Sequence, residues 1–139
     1  GATALFRGAN LGGSAKATFS SGTTLTGGLF PWAMADASDS GPGTTFATYT
    51  GNGVVPLAAF DAADDLSSTG NVALAIPNTI ASGDPDRTIN ALRLSSGGGV
   101  TIDIARKLTV TSGGILAMPG KLPWPYRNVT PAPLRADSW

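Results

Sequence analysis

Five aspartates fall in two short links, Asp61, Asp64 and Asp65 in the first and Asp84 and Asp86 in the second. Carboxylates grouped in this way are the equipment of a glycosidase acid–base pair or of a calcium site built from hard oxygen ligands. The rest of the composition gives such chemistry little help. The chain has Cys 0 and His 0, and all nine acidic residues are Asp. No thiol nucleophile, imidazole base, Ser-His-Asp triad, thiolate metal site or histidine-ligated metal site can be assembled from it. Neither an EF-hand loop nor a Gly-Gly-x-Gly-x-Asp calcium repeat occurs. "SGDPDR", spanning Ser82 to Arg87, is a turn sequence in its own right. The aspartates are therefore read as turn caps, with no catalytic residue, cofactor or metal ligand assigned and no enzyme expected.

Other groups lead to the same reading. Gly97-Gly98-Gly99 lacks the Gly-Lys-Ser/Thr ending of a phosphate loop and no helix follows it, so it reads as a corner. Threonine rows at Thr45, Thr48 and Thr50 and at Thr109 and Thr111 suggest an ice-binding ladder, but two short rows suit ordinary strand threonine better. Trp32, Trp124 and Tyr126 have the chemistry to stack on sugar rings and equally to anchor a loop or tail. With Lys+Arg 9 against Asp+Glu 9 the net charge is zero, and the cations are scattered, which argues against a nucleic-acid partner.

These residues must be positioned by strands. Helix formers are scarce, while Gly 19 accompanies many Ser, Thr and Ala. Short strands are predicted around Ala4–Phe6, Ala17–Phe19, Thr24–Thr26, Thr45–Thr50 and Asn71–Ile76, with a turn at Gly51-Asn52-Gly53. The clearest block runs from Thr88: Ile89, Leu92 and Leu94 precede the glycine triplet, then Val100, Ile102 and Ile104 alternate, then Leu108 and Val110. Gly113-Gly114 reads as a further corner, with Ile115 opening a new strand. The nine apolar residues Ile89, Leu92, Leu94, Val100, Ile102, Ile104, Leu108, Val110 and Ile115 are expected to point inward as the structural core. Strands offering so few apolar residues cannot bury a face as isolated hairpins, whereas stacked coils of a parallel β-helix can. An antiparallel sandwich would show the same alternation. Residues 1–120 are read as one β-solenoid module with an aromatic-rich loop region. Residues 121–139 form a Pro-rich tail, whose Trp124, Tyr126 and Trp139 are candidate tail or partner contacts. No apolar stretch suits a spanning helix.

The ordered motifs "FRGANLGG", "TLTGG", "PWAMADASDSG", "FATYTGNGVVPLAAF", "TINALRLSSGGGVTID" and "LTVTSGGILA" resemble the autotransporter-associated β-strand repeat of very large bacterial surface proteins. The resemblance covers Leu5 to Pro119 and departs at the Pro-rich tail. It implies a right-handed parallel β-helix in a secreted or cell-surface protein, without catalytic residues: a rigid spacer or adhesive stalk. Its expected partners are neighbouring solenoid modules or copies of itself end to end, with a surface glycan or protein as ligand. A subunit of an extracellular filament and a polysaccharide-active β-helix enzyme are the alternatives.

Overall fold

The computed structural model describes residues 3–21 and 23–118. Its strands are β1 (Ala4–Arg7), β2 (Phe30–Asp36), β3 (Thr45–Thr50), β4 (Gly53–Pro56), β5 (Ala62–Ala63), β6 (Asn71–Leu74), β7 (Pro77–Ile80), β8 (Arg87–Leu94), β9 (Gly99–Ile102) and β10 (Leu108–Ala117), and no helix occurs among the described residues. They form a four-stranded sheet β1-β2-β3-β4, a four-stranded sheet β10-β8-β6-β5 and a two-stranded sheet β7-β9. The predicted tail, residues 121–139 with Trp124, Tyr126 and Trp139, lies outside the described residues.

The right-handed parallel β-helix expected from the sequence is not what these strands make. The architecture is a set of mixed and parallel sheets, including a curled, half-barrel sheet. In the first sheet β1 runs parallel to β2, but β3 is antiparallel to both β2 and β4. The cause is local. Only Gly51 and Asn52 separate Thr50 from its partner Gly53, and so short a turn can only reverse the chain; a parallel step needs a long crossover. Gly53 follows the turn at φ 92°, a conformation open to glycine, and Asn52 N–H donates to Thr50 Oγ1 at 3.2 Å. The second and third sheets are wholly parallel, because turns and links of several residues carry the chain between their strands.

Gly113-Gly114 is not a corner. Both glycines lie inside the single strand β10, where Val110 pairs with Ile89 and Gly114 with Ala91, so Thr111, Ser112 and Gly113 bulge opposite Asn90. Gly113 supplies the positive φ of 72° that the bulge requires. Gly114 supplies closeness: a Cβ there would sit 3.2 Å from Pro31, at the start of β2. The predicted strands at Ala17–Phe19 and Thr24–Thr26 are irregular instead, although Ala17 O still accepts the Val54 N–H at 2.8 Å.

Three apolar clusters hold the sheets. Leu11, Phe30, Ala33, Ala35, Ala47 and Val54 form the first, under the mixed sheet. Leu66, Val72, Leu74, Ile80, Ile89 and Leu92 form the second, between the parallel sheets. Leu29, Phe46, Ala91 and Leu116 join the first sheet to the second. All four residues of β6 are buried, as expected for a strand with neighbours on both sides and cover on both faces.

Candidate functional site: turn carboxylates, an asparagine seam and two open surfaces

The five clustered aspartates are each turned onto the backbone. Asp61 Oδ2 accepts the Asn71 N–H at 2.6 Å, and Asp64 Oδ1 accepts those of Ala75 and Ile76 at 2.6 and 3.1 Å. Asp65 takes the N–H and Oγ–H of Ser67, both at 2.7 Å. Asp84 Oδ2 accepts the Ala81 N–H at 2.9 Å, and Asp86 Oδ1 accepts the Lys107 N–H at 3.0 Å. What this arrangement does chemically is satisfy orphan amides where strands end. Among the described residues, no three acidic side chains come together as a metal-binding group. Three threonines of the two rows are likewise spent internally: Thr45, Thr48 and Thr111 donate to the carbonyls of Leu57, Gly28 and Ile89.

Two carboxyls are held below their ordinary range. The hydroxyl and N–H of Ser67 stabilise ionised Asp65, and the N–H and hydroxyl of Ser38 do the same for Asp36. With the folded value below the ordinary 3.8, the unfolded chain takes up these protons first as the pH falls. The stabilisation is therefore full above the ordinary carboxylate range and is lost as pH drops through the lowered values. The chain has no His or Cys, so no side chain has an ordinary pKa between about 5 and 8. Melting temperatures should thus be flat from about pH 5.5 to 8 and fall below about pH 4. A step in the melting temperature near pH 6.5 would contradict this account.

Sequence reasoning missed a polar seam that is buried at Asn71 and half-buried at Asn90 and Ser112. Asn90 Nδ2 donates to Asn71 Oδ1 at 2.6 Å and to Thr26 O at 3.2 Å, while Asn71 Nδ2 donates to Gly27 O at 3.0 Å. Thr111 Oγ1 reaches Asn90 Oδ1 at 3.4 Å, and Ser112 Oγ donates to Asn90 O at 2.6 Å. Side chains from β6, β8 and β10 thus form one row that ties the parallel sheet to the turn preceding β2. Gly27, at φ 57°, lies directly against Asn90, which leaves no room for a side chain. The available signal was the recurrence of Asn before an apolar run in "NVAL" and "NALRL".

Of the nine predicted core residues, Ile89 and Leu92 are buried, and Leu94, Val100, Leu108 and Val110 are half-buried against the second cluster. The other three are corrections: Ile102 is 43% exposed, Ile115 60% and Ile104 103%. Ile102 pairs with buried Ile80, and Ile115 with buried Leu92, so both have the expected register. Ile80 and Leu92 pack into the second cluster, whereas Ile102 and Ile115 belong to none of the three clusters. Ile104 sits at the tip of the turn between β9 and β10.

A second surface surrounds Trp32. Its ring packs on Phe30 at 5.3 Å and Phe6 at 6.5 Å, and Phe19 continues the cluster to Tyr49 at 5.7 Å. Trp32 remains 42% exposed and walls a groove of about 300 Å³, together with Pro31, Met34, Phe46, Ile115 and Leu116. No family model, curated protein or solved structure matches this chain.

Proposed function

We propose that this chain is a non-catalytic structural segment of an exported bacterial surface protein, a rigid spacer or adhesive stalk. The observation that carries the proposal is the open edge of β9. There Ile102 stands uncovered beside its buried partner Ile80, with Ile104 fully exposed at the adjoining turn. A long-lived exposed edge of this kind invites another strand, and in a spacer that strand comes from the neighbouring module of the same protein. The carboxylates engaged with backbone amides, locally or across strands, and the asparagine seam support a role in which the segment holds its shape. The order of motifs that resembles the autotransporter-associated repeat supports export and surface location.

The same edge favours a second reading, in which a copy of the chain supplies the strand and a filament grows. Light scattering and electron microscopy of the purified chain, dilute and concentrated, separate the two. The spacer reading expects a monomer at both concentrations. Fibres with a constant axial repeat would overturn it in favour of the filament.

A further inference from the structure

We propose that the Trp32 groove is the docking site of the chain's own C-terminal segment Leu122–Tyr126. The groove is apolar: Thr3 supplies the one polar side chain in a wall otherwise built from Pro31, Trp32, Met34, Phe46, Ile115 and their neighbours. A sugar ligand would need several hydrogen-bonding groups there, whereas a hydrophobic peptide needs few. The volume, about 300 Å³, suits an aromatic or proline side chain better than a run of sugar rings.

The chain leaves the parallel sheet at this place. Ile115, Leu116 and Ala117, the last residues of β10, themselves wall the groove. Met118 N–H donates to Leu94 O at 2.8 Å, and the Met118 side chain packs on the cluster containing Phe46 and Leu116. The sequence that follows is Pro119-Gly120-Lys121-Leu122-Pro123-Trp124-Pro125-Tyr126. Its apolar residues alternate with prolines. Proline has no N–H to give to a strand ladder, so this stretch cannot continue the β10 edge as a full strand. It suits the other recognition mode, in which a pre-extended Pro-rich segment lays its side chains into an aromatic-lined groove. Trp124 lies seven steps along the chain from Ala117, an extended reach of roughly 23 Å, enough to span back over the groove with Gly120 available for the reversal. Tethering raises the local concentration of the segment to about the millimolar range, so that modest contacts suffice. The β9 edge stays free for the partner strand proposed above.

The test uses the full chain with Trp124→Phe and Trp139→Phe, which leaves Trp32 as the sole tryptophan. Acrylamide quenching of Trp32 is compared with that of a second chain carrying Leu122→Ser, Trp124→Ser, Tyr126→Ser and Trp139→Phe, with circular dichroism showing that both are folded. Docking predicts that Trp32 is several-fold harder to quench in the first chain, equally so when dilute and when concentrated. Equal quenching in the two chains would overturn the proposal. Protection that grows with concentration would also overturn it, because the occupant would then be a second copy. A reciprocal readout needs no change in the segment's own contact residues. In the full chain with Trp32→Ser and Trp139→Phe, Trp124 should emit like water-exposed indole and to the red of the same residue in the chain with Trp32→Phe and Trp139→Phe, and equal emission from these two single-tryptophan chains would count against docking.

Discussion

Replacing Gly98 by Ala is expected to lower the stability of the chain by about 3 kcal/mol, while the same change one residue later, Gly99→Ala, is neutral or stabilising by up to about 1 kcal/mol. The difference arises from what each new methyl group would meet. A Cβ at Gly98 would run into the backbone carbonyl of Leu74, at the end of the fully buried strand β6, and one at Gly97 would lie 2.5 Å from Ala75 O. Backbone cannot swing aside as a long side chain can, so the turn and β6 would have to separate. At Gly99 nothing lies within 4 Å. None of the three has a positive φ, so the demand for glycine at Gly97 and Gly98 is one of space and not of backbone conformation. Urea denaturation of the two variants measures the contrast directly. Equal stabilities would mean that β6 and the turn do not touch in this way.

Asn71→Ala is the second large effect, a loss of about 1–2 kcal/mol. Asn71 is only 7% exposed, and its removal strands both the Asn90 Nδ2–H that it accepts and the Gly27 carbonyl to which it donates. Asn90 is half-buried, and a polar group shielded from water and left without a partner costs more than the bond gained, so the two halves of the pair should not add. Asn71→Ala with Asn90→Ala should cost less than the sum of the single changes. Asn71→Asp should be no better than Ala, because a carboxylate oxygen would then face Gly27 O where a donor stood. Additive single and double variants in thermal or urea unfolding would mean that the seam is not a coupled network.

Legibility from sequence was uneven, for reasons that differ by residue. Two of the five aspartates were readable because their turns are local: Asp65 and Ser67, and Asp84 and Ala81, are two or three residues apart, whereas Asp61, Asp64 and Asp86 reach amides 10 to 21 residues away. The strand Thr45–Thr50 and the turn after it were readable for the same reason. The seam was not, because Asn71 and Asn90 meet across 19 positions of sequence and Asn90 reaches Thr26 across 64. Nor was the Trp32 groove, whose walls come from β2, β3 and β10.

By itself the sequence determined the chemistry the chain lacks and much of the strand inventory. With no His and no Cys, whole classes of site cannot be made from any arrangement of the backbone. Period-two alternation marked the strands at residues 100–102 and 108–110, although Ile104 lies in the turn beyond the first of them. Except across the two-residue turn between β3 and β4, tertiary structure decided the direction of pairing, because parallel and antiparallel ladders share the same two-residue period. It also decided which apolar residues are covered. Ile80 and Ile102 are the same residue type in one register, yet Ile80 is 1% exposed and Ile102 43%. Ile80 packs into the second cluster and Ile102 into none, and no property of the residue itself records whether other elements will close over it.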